Sequence, residues 1–230
     1  MKLSELKDYE LGQRTLRYEA RDAILYALAV GASSEETDLV YERDLRVLPT
    51  YACALGLWAV EAAGELGAYY RKFSLHASQS LTVHQSMPQS GILETTGRIT
   101  GVWDKGKAAL ITQTVESRDE DGNHLFTLKS SGFVADEGGF GGERGPPTGP
   151  DQMPKRAPDH VVESPTLAGQ AFLYRLSGDK NPLHVDPQVS RKLGHKAPIL
   201  HGLCTYGMAC KAVVDTLLEG DVNAVLSYRA

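Results

Sequence analysis

Ten consecutive residues in the second half of the chain, 177–186, read SGDKNPLHVD and gather side chains that could carry out acid–base chemistry. Asp179 supplies a carboxylate, Asn181 an amide and His184 an imidazole. A neutral imidazole at pH 7 is what a general base needs, and Asp179 is close enough in sequence to face the same cavity. This stretch is therefore the candidate catalytic segment.

The residues around this segment predict how its side chains are held. Asn181-Pro182 and Asp186-Pro187 each place a capping side chain before a proline, which predicts two short helices in series that end at Gly194. His184 then lies at about the third position of the first helix, near its positive end, where protonation is disfavoured. The alternative is that these residues only cap helices and form turns, with His184 as a surface histidine.

A second motif, PILHGL at 198–203, leads into an apolar segment that predicts a buried helix over 202–218, closed by Gly220. Gly202 falls in the first turn, where backbone N–H groups have no partner within the helix and no side chain blocks a ligand. Such a position can bind a developing oxyanion. Alternatively, Gly202 only permits close packing of the helix.

The first half of the chain has the pattern of an antiparallel meander that follows a buried helix. The helix is predicted over 50–66, between Pro49 and Gly67, because that segment is apolar on nearly all sides. Four segments with strand-like alternation follow, separated by turn signals: 75–85, 91–103, 108–117 and 124–134. A Gly- and Pro-rich stretch after residue 136 then predicts a linker.

The second half repeats this order, with a strand predicted over 170–177 before the helix. In this degenerate repeat Asp22 is the counterpart of Asp179, but no Asn-Pro pair and no histidine follow it. We therefore expect the first half to be catalytically inert. The sequence stops at Ala230, where a second meander would begin, so either strands come from elsewhere or the chain is a fragment.

Composition excludes some classes of partner. The chain has 230 residues and a net charge of −5, which argues against nucleic acid as a partner. Apolar runs fall short of the ~18 residues that cross a bilayer, so we expect a cytoplasmic protein without membrane partners. The three cysteines, Cys53, Cys204 and Cys210, lie in apolar helical patterns and predict reduced core thiols.

The string YRLSGDKNPLH at 174–184, followed by PILHG at 198–202, resembles the signature of the MaoC-like dehydratases and R-specific enoyl-CoA hydratases, also called type 2 hydratases. Most side chains of that pattern are present, and the interval to the glycine agrees. The first half resembles the N-terminal unit of the two-hotdog members, which has lost the catalytic residues and makes room for the acyl chain. The resemblance is close after residue 170 and loose before it.

The resemblance implies an α+β double hotdog fold, in which each unit is a long central helix wrapped by an antiparallel sheet. The expected units are an inert N-terminal hotdog at 1–136, which offers a candidate acyl-chain pocket, and a C-terminal hotdog with the hydratase motif at 159–230. The second unit is expected to be incomplete. Residues 137–158 form the linker between them.

Carried over to this sequence, the resemblance makes Asp179 and His184 a catalytic dyad that holds and activates water, with Asn181 orienting it. The backbone N–H of Gly202 would bind the thioester oxygen. The implied reaction is the reversible addition of water to a trans-2-enoyl-CoA, which gives an (R)-3-hydroxyacyl-CoA. No metal or other cofactor is expected, the acyl-CoA is the substrate, and the expected assembly is a homodimer.

Three other functions compete with this interpretation. The first is a metal site, for which the candidate ligands would be His184, Asp186, His195 and His201. No known zinc-ligand spacing accompanies these residues. A hotdog thioesterase would need a carboxylate on a central helix, for which Glu61 and Asp215 are the candidates. A non-catalytic acyl-thioester-binding or assembly subunit is the third.

Several further groups have ambiguous roles in the sequence. A basic neighbourhood near the motif could receive the CoA phosphates; it consists of Lys180, Arg191, Lys192 and Lys196. Leu57 and Trp58 either line an acyl tunnel or belong to the core. His76 and His84 have even spacing on one strand, which predicts that they share a face, and we assign them no chemistry.

Overall fold

The computed structural model describes residues 1–70, 74–147 and 154–230. The strands are β1 Glu10–Tyr18, β2 Ser74–Val83, β3 Gly91–Asp104, β4 Ala108–Arg118, β5 His124–Ala135 and β6 Ser227–Arg229. The helices are α1 Ala20–Ala29, α2 Thr37–Val40, α3 Tyr51–Leu55, α4 Trp58–Glu65, α5 Gln170–Tyr174, α6 Pro187–Lys192 and α7 Gly202–Leu217. Short 3₁₀ segments cover Leu3–Glu5, Arg175–Ser177, Pro182–His184 and Val222–Ala224.

The strands form one antiparallel sheet in the order β1-β3-β4-β5-β2-β6. The four predicted strands are present as β2 to β5, but the meander is confirmed only for β3, β4 and β5, because β2 pairs with β5 rather than with β3. Strand β6 comes from the second half of the chain and pairs with β2, where Tyr228 lies opposite Leu81. The sheet is thus built mainly by the first half and extended at one edge by the second.

One face of this sheet packs on the helices. Leu81, Leu128 and Val115 form an inward row across β2, β5 and β4 and are almost fully buried. The row continues to Gly97 on β3, where a Cβ atom would lie 2.9 Å from the Trp58 ring. Gly97 therefore lets the Trp58 ring lie directly against the sheet, and Trp58 is part of the core.

The helix predicted over 50–66 is confirmed as α3 and α4, with a tighter turn between them at Gly56. Leu57 N–H bonds to the carbonyl three residues earlier, at Ala54, which is the pattern of a 3₁₀ turn. A side chain at Gly56 would overlap Leu128 on β5. The glycine thus allows the helical segment to approach the sheet closely.

The two halves share one hydrophobic core, in which α1 packs on α7. Gly207 makes this contact close, because a Cβ atom there would lie 2.6 Å from both the Tyr26 hydroxyl and Val30. The Ala29 carbonyl, at the end of α1, accepts hydrogen bonds from the Gln170 amide and from the Cys204 thiol. Packing and buried polar contacts therefore both connect the halves.

The strand predicted over 170–177 is wrong, because this segment is the helix α5 followed by a 3₁₀ turn. Its buried residues, Gln170 and Tyr174, are four apart, which is the period of a helix rather than of a strand. The Gln170 side chain also accepts a hydrogen bond from Leu167 N–H, which fixes the start of α5. The apolar run that suggested a strand is short, and periodicity alone does not separate the two structures over such a length.

The predicted equivalence of Asp22 and Asp179 is also wrong. Asp22 lies in the first turn of α1, whereas Asp179 lies after the end of the corresponding helical segment in the second half. In each half the segment ends at a glycine with positive φ, Gly31 at 95° and Gly178 at 135°. Ala32 therefore occupies the position that Asp179 has in the second half, so the first half lacks the carboxylate as well as the histidine.

His76 and His84 lie on opposite faces of β2, contrary to the expectation from their spacing. A β-bulge between His76 and Ser78 inserts one residue into the strand. Because His76 pairs with Gly132 and Thr82 with Thr127, five residues away on β5, the bulge turns His76 to the helix-facing side. His84 remains on the outer face, where its ring contacts Thr127.

The beginning of the predicted linker folds back onto the first half. The carboxylate of Asp104, at the end of β3, accepts hydrogen bonds from the N–H groups of Gly139 and Gly141 at 2.9 and 2.8 Å. Part of the 137–158 segment lies outside the described residues, and the unit boundaries stay predictions. Within the described ranges no helix is long and apolar enough to cross a membrane.

Replacing Gln170 by Leu tests the polar connection between the halves. Gln170 is 3% exposed, so the change keeps the volume but removes one hydrogen bond to Ala29 and one to Leu167. We expect urea unfolding to show a loss of about 1–3 kcal/mol, because the buried Ala29 carbonyl keeps only a weak thiol donor. Gln188→Leu, at an exposed position, is the control. Equal unfolding midpoints for the two variants would contradict the assignment.

Candidate active site

The segment 177–186 is held by a series of side-chain to backbone hydrogen bonds. The Asp179 carboxylate accepts from Asn181 N–H at 3.1 Å, and the Asn181 side-chain oxygen accepts from Leu183 N–H at 3.1 Å. Pro182 then begins the predicted short helix, which is a single 3₁₀ turn. Asp186 caps α6 by accepting from Gln188 N–H at 2.7 Å. The predicted caps are thus present, and they fix the loop that carries Asp179 and His184.

His184 is the third and last residue of its 3₁₀ turn and is 9% exposed. Its Nδ1 lies 2.8 Å from the carbonyl oxygen of Ile199. A carbonyl oxygen can only accept, so Nδ1 carries the hydrogen and the neutral ring keeps its lone pair on Nε2. The main chain before α7 therefore selects the tautomer whose Nε2 can accept a proton.

His201 lies directly against His184 and is completely buried. The two ring centroids are 3.9 Å apart with an interplanar angle of 31°. The Nε2 atom of His201 is 3.2 Å from the carbonyl oxygen of Asp179, so Nε2 donates that hydrogen bond. Burial lowers the pKa of His201, and the neighbouring His184 lowers it further, while the charge of Asp179 opposes both effects.

The structure brings the two members of the predicted dyad together. One ligand-type atom from each of Asp179, His184 and His201 lies within 4.8 Å of the other two. Gly202 follows His201 and begins α7, so its N–H is one of those at the helix start without an acceptor inside the helix. A Cβ atom at Gly202 would meet nothing within 4 Å, so the space beside it is open.

Two imidazoles close to Asp179, those of His76 and His201, have no role in the mechanism predicted from the sequence. His201 was weighed as a metal ligand and was better explained as part of the turn that leads to Gly202. His76 reaches the same region from the helix-facing side of β2. His76 is exposed, yet partial desolvation by the surrounding protein lowers its pKa, while hydrogen bonds to Ser78 and Gln79 and the charge of Asp179 act in the opposite direction. Only the bulge in β2 places His76 there, and no sequence signal marks that bulge.

The four-residue metal set considered from the sequence is not brought together. His184 and His201 are neighbours, but the acidic group beside them is Asp179, whereas the Asp186 carboxylate caps α6. His195 is outside the cluster found in the described part of the chain. The geometry of Asp179, His184 and His201 could accept a cation, and it equally suits a carboxylate and an imidazole that act on one water molecule.

The carboxylates of the thioesterase alternative have other partners. Asp215 forms an ion pair with Lys211 at 2.7 Å, and Lys211 is also paired with Glu36. Burial lowers the pKa of Lys211, but the two carboxylates raise it overall. Glu61 also takes part in an interaction. Asp215 is thus engaged by a cation on its own helix.

The basic residues and the cysteines considered in the sequence are exposed and buried, respectively, as their side-chain types suggest. Lys180, Arg191, Lys192 and Lys196 are all exposed, and Arg191 and Lys192 lie in the last turn of α6. Their role toward the CoA phosphates stays a prediction. The three cysteines are buried free thiols, as predicted.

Two family models match the chain in consecutive segments. Residues 16–136 match the MFE-2 hydratase 2 N-terminal domain, and residues 150–230 match the MaoC-like domain. The chain is 43% identical to the enoyl-CoA hydratase ChsH3 of Mycobacterium tuberculosis, over 93% of this chain and 77% of that protein. It is 38% identical to a probable enoyl-CoA hydratase 2 of Dictyostelium discoideum, over 91% of this chain and 74% of that protein. Other relatives have names that place them in peroxisomes.

Solved structures agree with the architecture. A MaoC-like dehydratase from Phytophthora capsici superposes with a TM-score of 0.88 and 29% identity, over 100% of this chain and 82% of that chain. A Mycobacterium tuberculosis protein described as a double hotdog fold has a TM-score of 0.62 and 15% identity, over 100% of this chain and 80% of that chain, and supports the fold alone. The predicted α+β double hotdog fold is confirmed, and the chain belongs to the MaoC-like dehydratase and hydratase 2 family.

Proposed function

We propose that the chain catalyses the reversible hydration of a trans-2-enoyl-CoA to an (R)-3-hydroxyacyl-CoA. The observation that carries the proposal is the contact of His184 Nδ1 with the Ile199 carbonyl: a hydrogen on Nδ1 leaves Nε2 to accept a proton next to Asp179. The relatives named enoyl-CoA hydratase give independent support for the substrate class.

In the proposed reaction His184 Nε2 takes a proton from a water molecule that Asp179 helps to hold. The remaining hydroxide bonds to Cβ of the enoyl thioester, and the electrons of the double bond move onto the thioester oxygen. The N–H of Gly202 donates a hydrogen bond to that oxygen and stabilises its charge. The dyad then returns a proton to Cα, so that one water is added in total. Addition and proton return occur on the same face, because the same groups serve both steps.

Asn181 has a double role in this scheme. Its side-chain oxygen accepts from Leu183 N–H and so supports the turn that presents His184. Its amide N–H₂ group keeps two donors, which suit the orientation of a water molecule. We propose that the amide orients the attacking water while the carbonyl end holds the loop.

Two substitutions remove the proposed acid–base groups and leave the local hydrogen bonds in place. His184→Asn keeps a donor close to the position of Nδ1, and Asp179→Asn keeps an acceptor for Asn181 N–H. We expect either change to lower kcat/KM by about 10²–10⁴-fold. The assay follows the loss of enoyl absorbance with crotonyl-CoA, and chiral chromatography identifies the product.

Matched controls use a carboxylate and an imidazole near the site. Asp186→Asn keeps the cap of α6, and His195→Asn changes a histidine outside the cluster, so both should retain activity. Wild-type turnover in Asp179→Asn or His184→Asn would exclude the mechanism. Release of free CoA thiol would instead indicate a thioesterase, and ligand-induced stabilisation without turnover would indicate a binding subunit.

Gly202→Ala tests the proposed oxyanion site separately from folding. A methyl group at Gly202 meets no protein atom within 4 Å, and alanine favours a helix over glycine. We therefore expect an unchanged or higher melting temperature. The methyl group would occupy the space next to the N–H, so we expect kcat/KM to fall by about 10²–10³-fold, as for the loss of one oxyanion donor. Full activity in this variant would place the thioester oxygen elsewhere.

The compartment and the assembly state belong to the same proposal. We propose a homodimer in the cytoplasm, and neither nucleic acid nor a membrane is required by the reaction. The proposed substrate is itself a CoA thioester, so no bound cofactor is part of the scheme.

A further inference from the structure

His201 contacts both members of the proposed dyad without being one of them. Its Nε2–H donates to the main-chain carbonyl of Asp179 at 3.2 Å, and its ring lies against that of His184, with centroids 3.9 Å apart and planes inclined by 31°. The ring of Tyr174 also lies near His201, with the two ring centroids 5.0 Å apart. His201 is 0% exposed, so these contacts fix its position.

The second ring nitrogen of His201, Nδ1, indicates that this position needs a histidine for more than packing. Nδ1 is buried and has no hydrogen-bond partner within the part of the chain that the structure describes. Because Nε2 carries the hydrogen, Nδ1 holds an unpaired acceptor, which is unfavourable in a buried place. An aromatic hydrocarbon ring would stack equally well without that cost. The polar edge of His201 therefore has a role that packing alone does not supply.

The contact with the Asp179 carbonyl supplies such a role. Asp179 follows Gly178, whose φ of 135° favours glycine. Because glycine has no side chain, this residue cannot anchor the loop. On the other side, Lys180 is exposed. The hydrogen bond from His201 therefore restrains the main chain at the residue that carries the carboxylate.

We propose that His201 is a positioning residue of the hydratase site: its N–H fixes the Asp179 loop and its ring fixes the plane of His184. The proposal rests on the proposed function for its catalytic consequence. His201 precedes Gly202, so the same residue also connects the dyad to the start of α7. One buried ring thus sets the relative places of the carboxylate, the base and the N–H that would bind the thioester oxygen.

Two variants separate the two contacts. His201→Phe keeps a ring that stacks on His184 but loses the donor, and His201→Gln keeps an N–H donor near the position of Nε2 but loses the ring. We expect kcat to fall by up to about 10²-fold in His201→Phe, with KM unchanged, because the Asp179 loop is misplaced. His201→Gln should recover part of that loss, and His195→Gln, the matched control, should change neither constant.

Stability gives a second readout that does not use substrate. The pKa of His201 is lowered in the folded state from its usual 6.5, so the unfolded chain binds the proton more readily. The folded state is therefore favoured above pH 6.5 and loses stability as the pH falls from 6.5 through the lower folded value. The charged and titratable groups around His201 are His184, Asp179, Arg175 and Tyr174. His201→Phe should flatten this decrease, whereas His195→Phe should leave it.

The tautomer of His184 gives a third readout. Long-range ¹H–¹⁵N spectra of the labelled full chain distinguish Nδ1–H from Nε2–H, and His184→Asn assigns the signal. We expect the Nδ1–H form in the wild type and in His201→Phe, and a mixture of tautomers in His201→Gln. If wild type shows no hydration of enoyl-CoA, the proposed function fails, while the spectra still test the placement of His184.

The outcomes decide between positioning and packing. Wild-type kcat and an unchanged His184 spectrum in both His201→Phe and His201→Gln would overturn the proposal. Equal losses of kcat in both variants that follow their melting temperatures would also overturn it, because they would indicate a structural role only. A loss in His201→Phe that His201→Gln partly restores, at similar melting temperatures, supports it.

Discussion

The candidate site depends on one main-chain contact, the hydrogen bond from His184 Nδ1 to the Ile199 carbonyl. Either nitrogen of a neutral imidazole can carry the hydrogen, and only an acceptor fixed on one side decides between them. Ile199 belongs to the segment that leads into α7, so the orientation of the His184 ring is determined by the position of a helix rather than by the loop of His184. A displacement of the start of α7 would therefore move the acceptor of Nδ1 and change which nitrogen of His184 carries the hydrogen, even if every side chain stayed the same.

The position of α7 is in turn fixed by the first half of the chain. Gly207 lets α7 approach α1 closely, and Cys204 donates to the carbonyl at the end of α1. The first half contributes most of the sheet but has Ala32 where the second half has Asp179. The first half, which has no carboxylate at this position, thus supports the helix on which the candidate site of the second half is built.

The sequence alone predicted the local parts of this arrangement and failed where distant contacts decide. The caps at Asn181 and Asp186 were predictable, because a side chain bonds to backbone within three residues. The strands of the meander were predictable from their alternation. The segment 170–177 was not, since a short apolar run fits strand and helix alike, and only its packing on α1 selects the helix. The face of β2 on which His76 lies was not predictable for a similar reason. One bulge residue reverses the alternation of faces and leaves no mark in the sequence.

The tautomers of the two adjacent histidines could not be predicted from the sequence of either loop alone, because each is set by a hydrogen bond to the other motif. Each ring donates to a main-chain carbonyl from the other motif: His184 to Ile199, and His201 to Asp179. The two motifs are separated by α6, and each fixes the imidazole of the other. Such a reciprocal arrangement is stronger than two independent anchors, because neither loop can shift without breaking a bond to the other. In the proposed mechanism, the SGDKNPLH segment would supply the acid–base groups, and the PILHG segment would supply the geometry in which they act on one water molecule.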